Sequence, residues 1–207
     1  MRSVSSGKAD LGTQLTLTKP AGTQTGDLLV AVVAHGAGSR RSMTPPSGWT
    51  TVANTDRSNG KEVRIHAWYR VAGSSEPSSY AFTLTGGAGT AISGGIVDVS
   101  GADAPNPLNA SGSQSNGAAA TPVGSPSITT TLPSALLVFG GACNSGAGFT
   151  APAGMAEQWD QATAGSGARV ATTTAVAGFP GPGATGIRTA TASSACRSVG
   201  LQIAITP

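Results

Sequence analysis

Short apolar blocks recur along the chain: LLVAVVA at 28–34, VRIHAWYRV at 63–71, YAFTLT at 80–85, GGIVDVS at 94–100, ALLVFGGA at 135–142 and VGLQIAI at 199–205. Each is rich in β-branched residues and bounded by Gly, Pro, Asn or Ser, the pattern of strands between turns. No segment carries apolar residues at helical spacing between capping residues. The predicted class is therefore all-β. Strands are expected over 13–18, 27–35, 50–55, 62–71, 79–85 and 92–100, then over 126–132, 135–143, 156–162, 167–177, 186–193 and 197–206.

The second set repeats the first. GDLLVAVVAHGAGS at 26–39 resembles SALLVFGGACNSGA at 134–147, and TPPSGW at 44–49 resembles TAPAGM at 150–155. EVRIHAWYRVAG at 62–73 lies over GARVATTTAVAG at 167–178, and SGGIVDVSG at 93–101 over SVGLQIAIT at 198–206. Half-repeats at 13–101 and 126–207 follow, joined by a linker at 102–125 full of turn formers. Two tandem small sandwiches fit this pattern, as does one sandwich to which each half gives a Greek-key unit. A half-sized domain buries little surface, and the second half is poor in large apolar side chains. The expectation is thus one antiparallel β-sandwich of jelly-roll type with internal pseudo-two-fold duplication. It spans 13–207, after an N-terminal arm, 1–12, able to lie on another subunit. The repeated loop marks two equivalent corners, where Trp49 and Met155 fold over the ends of the core; stacking on a ligand is the alternative for Trp49.

Composition narrows the function. Charged residues are 10% of the 207, the net charge is +3, and the one basic doublet is Arg40-Arg41. A nucleic-acid binder clusters its cations, so no nucleic acid is expected. The longest apolar block falls far short of the ~20 residues that span a bilayer, so no membrane partner is expected either. The start, MRSVSSGKADLGTQ, has no apolar stretch of the signal-peptide kind. Cys143 and Cys196 are either two buried thiols or one bridge, and the sequence leaves both open.

Catalytic patterns are weak. The histidines are His35 and His66 alone, no G-x-S-x-G elbow occurs, and dispersed His and Cys residues do not make a metal site. GPGATG at 181–186 matches a dinucleotide fingerprint in letters, but Pro182 and the strand-like run after it fit a hairpin loop. Asp103, Asn106 and Asn109 share one loop and read as an Asx-rich turn rather than a calcium site. Asp98 and Glu62 would serve glycoside cleavage only if their strands were neighbours. No enzyme activity, cofactor or metal is expected.

One face stands out. Side chains alternate along a strand, so Val63, Ile65, Ala67, Tyr69 and Val71 point to the core, while Arg64, His66, Trp68 and Arg70 point away. A Trp among cations suits contact. These four residues, with Trp49, are the candidate interface or ligand-binding set; cover by the chain's own loop 101–126 is the competing reading for Trp68.

The runs LTLTKPAGTQTGDLLVAVVA, TPPSGWT, WYRVAGSSEPSSYAFTLT and GGIVDVSGADAPNPLNA resemble a β-sandwich module of bacteriophage structural proteins and of exported surface proteins of high-GC bacteria. The resemblance covers nearly the whole chain and brings no catalytic residues. It implies a virion protein made in the host cytoplasm, such as a capsid decoration or tail component, bound to other virion proteins and forming a homo-oligomer. The alternative is an extracellular or cell-surface adhesion module that recognises a host surface glycan through Trp68 or Trp49.

Overall fold

The alternating and continuous apolar runs both become strands, because the chain stacks sheets on both faces of its central ones. The computed structural model describes residues 1–133, 135–165 and 168–207. The first half forms β1 (Ser3–Gly12), β2 (Gln14–Thr18), β3 (Leu28–His35), β4 (Ser42–Thr44), β5 (Thr50–Thr51), β6 (Arg57–Asn59), β7 (Val63–Val71), β8 (Ser79–Thr85) and β9 (Thr90–Val99). The second forms β10 (Leu108–Ser115), β11 (Ala120–Ser125), β12 (Thr129–Thr130), β13 (Ala135–Cys143), β14 (Phe149–Thr150), β15 (Ala156–Ala162), β16 (Ala171–Phe179), β17 (Gly183–Ala184), β18 (Arg188–Cys196) and β19 (Ser198–Ile205). The class is all-β, with every pairing antiparallel.

Four layers result. The first half has an inner sheet, β1-β9-β3-β7-β5 with β6 also on β7, and an outer sheet, β2-β8-β4. The second half has an inner sheet, β10-β19-β13-β16-β15, and an outer sheet, β11-β18-β14; β12 and β17 pair separately. The inner sheets face each other across a shared core. Leu28, Val30, Val32 and Ala34 meet Val138, Leu201, Ile203 and Trp159 there. Each outer sheet closes a core of its own, around Leu29, Ala31, Val33, Trp68 and Phe82 in the first half and Leu137, Phe139, Ala190 and Ala192 in the second. Successive residues of β3 thus feed two different cores. Strands buried on both faces read as unbroken apolar runs, and LLVAVVA is one.

Three expectations need correction. The single core expected over 13–207 is three cores: a half-sized sandwich is marginal alone, and here each half gains burial by packing its inner sheet on the other's. The arm at 1–12 is no arm. Its residues form β1, paired with β9 from Ser3↔Asp98 to Gly12↔Thr90, and Arg2 Nε reaches Asp27 Oδ2 at 2.7 Å. The linker at 102–125 holds β10 and β11, which complete the second half's two sheets. The expected strand at 167–177 appears as β16, from Ala171; its first expected residue, Gly167, lies outside the described residues.

Candidate functional site

β7 delivers the alternation that its sequence predicts, with a different outcome for one face. Val63, Ile65 and Ala67 enter the shared core, with Tyr69 and Val71 packed at its margin. The other face is not exposed. Trp68 is 2% exposed and His66 3%: His66 is stacked between His35 and Trp68, and β2, β8 and Trp49 pack on Trp68. Their covering strands carry Leu15, Leu17, Tyr80, Phe82 and Leu84 on the inward side. Trp68, His66 and Trp49 are therefore interior groups, correcting their reading as a contact surface.

An aromatic column runs through this core. His35 stacks on His66 with centroids 5.3 Å apart, and His66 on Trp68 at 5.2 Å. Trp68 leans on Phe82 at 5.3 Å, and Trp49 meets Phe82 and Tyr80 edge-on at 5.4 and 5.0 Å. Trp49 is 8% exposed, so the core-capping expectation describes its position. Its loop is a tight turn: the Trp49 amide bonds the Pro46 carbonyl and Gly48 has φ 83°. TAPAGM repeats it, with Met155 on Pro152 and Gly154 at φ 75°.

The two arginines are half-buried and already partnered. Arg64 makes a two-pronged bond to Asp56, at 2.6 and 2.7 Å, and donates to the Arg41 carbonyl. Arg70 binds Glu76, which also accepts from the Tyr80 hydroxyl at 2.6 Å. Burial works against the charge of Asp56 and Glu76. Hydrogen bonds outweigh it and hold both carboxyls below their ordinary range: Arg64 acts on Asp56, and Tyr80, the Gly73 amide and Arg70 act on Glu76. Burial lowers His35 to about 3 and His66 to about 4, although Asp56 Oδ1 sits 3.4 Å from His66 Nδ1 and pulls upward. Both rings are neutral at pH 7. The stripe is a structural column with clamped ends.

Other candidate chemistry is dispersed. Asp98 in β9 and Glu62 before β7 are not on neighbouring strands, since β3 lies between. Asp103 and Asn106 form a backbone turn, and Asn109 Oδ1 accepts from the Thr131 amide. No group of three or more His, Cys, Asp or Glu able to hold a metal occurs among the described residues. GPGATG contains β17, paired with β12, so no helix follows it. Cys143 and Cys196 are joined, tying the end of β13 in the inner sheet to the end of β18 in the outer one. No helix among the described residues is long and apolar enough to cross a membrane.

The prominent concave surface lies elsewhere. A cleft of about 740 Å3 follows β10, the terminal strand of the second inner sheet. Ala53, Asn54 and Arg57 form one wall and Pro126 to Thr129 the other. Ser111 and Ser113 hydroxyls donate to the Ala53 and Asn54 carbonyls, each at 2.6 Å, and fix the first wall. Among the described residues, Arg57 is the one charged residue of the lining. Nothing in LNASGSQS announces a strand: one Leu leads a polar, small run inside what reads as a linker.

No family model, no curated protein and no solved structure matches this chain.

Proposed function

We propose that the chain is a non-catalytic structural protein of a bacteriophage virion, a capsid decoration or tail component held by contacts with other virion proteins. Strand order carries the reading. In the first half the chain passes from inner to outer sheet and back, β1, β2, β3, β4, β5, and again through β7, β8 and β9, with its first and last strands paired. That order suits a jelly roll, an architecture used by viral capsid and lectin domains. The order β1-β9-β3-β7-β5 over β2-β8-β4 returns as β10-β19-β13-β16-β15 over β11-β18-β14, which supports two jelly rolls arisen by duplication. Fold likeness is an association and not a mechanism; the sequence resemblance to phage structural modules points the same way. The Cys143–Cys196 bridge suits a protein that persists outside a reducing cytosol.

Lectin-like use is the rival. It needs an aromatic platform for a sugar ring, and Trp68 and Trp49 lie in a core while the β10 cleft is lined by no aromatic residue. Protein contact is favoured on that ground.

Sedimentation tests the proposal. Purified chain mixed with empty heads or isolated tails is expected to pellet with one of them at a saturable ratio, and to form a discrete oligomer alone. A monomer that stays in the supernatant with both particles overturns the reading. Binding on a glycan array instead would transfer the chain to the rival class.

A further inference from the structure

We infer that the free edge of β10 receives an extended polypeptide segment bearing a carboxylate, which adds to the second inner sheet as a sixth strand with its acid group on Arg57. The inference rests on the attachment reading and names where attachment occurs.

Register fixes which groups are free. In an antiparallel pair, residues alternate between bonding their opposite number and turning both backbone groups outward. The Asn116 amide bonds the Ser198 carbonyl at 3.0 Å, continuing the ladder from Ser115↔Val199. Ala110, Gly112 and Gln114 are therefore the residues bonded to β19, and Ser111 and Ser113 turn their N–H and C=O to the cleft. Arg57 Nη2 confirms the parity, since it reaches the Ser113 carbonyl from outside at 3.4 Å. The outward groups repeat every ~7 Å, twice the rise per residue, as an added strand requires.

The surroundings select the guest. Both serine hydroxyls are spent on the wall and the Ser113 carbonyl on Arg57, so the Ser111 N–H and C=O and the Ser113 N–H remain for a guest on the floor. Walls on both sides suit one extended chain better than the edge of another folded sheet. The lining holds no carboxylate, and the adjacent Asp56 is occupied by Arg64, so Arg57 makes no ion pair among the described residues. A lone guanidinium on a free edge also discourages indiscriminate pairing; it favours a segment that brings an acid.

A random decapeptide display library, selected on the whole chain, tests this. Recovered peptides are expected to share an Asp or Glu and to bind Ser111→Pro and Arg57→Gln about tenfold more weakly, or about 1.4 kcal/mol. Proline deletes an outward N–H without touching the β19 ladder. Ser111→Ala, which keeps that N–H and loses only the hydroxyl bond to the Ala53 carbonyl, is expected to weaken binding less than Ser111→Pro does. In the parent chain, bound peptide is expected to slow amide exchange at Ser111 and Ser113 at least tenfold. Failure to recover peptides, equal binding to Ser111→Pro, or unchanged exchange at both amides overturns the inference. Should Ser111→Pro not fold, the exchange measurement and Arg57→Gln decide. Those failures with intact co-sedimentation leave the virion reading standing, whereas peptide capture without co-sedimentation removes that reading alone.

Discussion

Trp68 shows what one residue's neighbours decide. Alternation along 63–71 separates its side from that of Val63 and Ile65, and this much is legible in the sequence. Whether the second side meets water depends on β2 and β8, whose one-faced patterns do not name the strand they cover. Because Trp68 is buried, Trp68→Ala is expected to cost about 3–5 kcal/mol, seen as a lower urea midpoint. A variant as stable as the parent would contradict the burial. His35 and His66 carry a pH signature. Their folded values, about 3 and about 4, lie below the unfolded value near 6.5, so the unfolded chain takes protons first. Their stability is complete well above pH 6.5 and is lost as pH falls toward 4 for His66 and toward 3 for His35, approaching two protons bound per unfolding event. Urea midpoints measured between pH 7 and 4.5 are expected to fall along this slope, and a flat profile would refute neutral burial of the pair. Asp27, held low mainly by Arg2 against its burial, adds a loss further into acid; Asp98, raised chiefly by burial, opposes it there.

At the scale of elements, legibility tracks burial. β13 and β15 fall on the expected 135–143 and 156–162, because apolar runs and turn residues frame them. β1, β10 and β11 escape notice: edge strands with polar, small side chains look like arm or linker. The seam between inner sheets depends on close approach. An added Cβ at Gly95 in β9 would stand 3.0 Å from the ring of Trp159 and against the Ser5 carbonyl. Gly95→Ala is therefore expected to cost about 1–3 kcal/mol through overpacking, read by thermal melting. The Cys143–Cys196 bridge closes 53 residues of chain, so its reduction is expected to remove about 4 kcal/mol in the chain-entropy account. Equal denaturant midpoints with and without reductant would contradict that.

The whole molecule resolves a tension visible in the sequence. Two half-sized sandwiches are marginal, and one large sandwich leaves too few strands for the apolar runs that need cover on both sides. Stacking four layers satisfies both conditions, and places a free strand edge where the halves meet. The repeated order of motifs is legible in the sequence; the face-to-face stacking is not, because it depends on which side of each run meets which sheet. Electron cryomicroscopy of the particles recovered with this chain tests the central claim most directly. Density for the four-layer body, seated on a neighbouring polypeptide, is the predicted result. A chain recovered free of any particle, or density touching glycan alone, would contradict it.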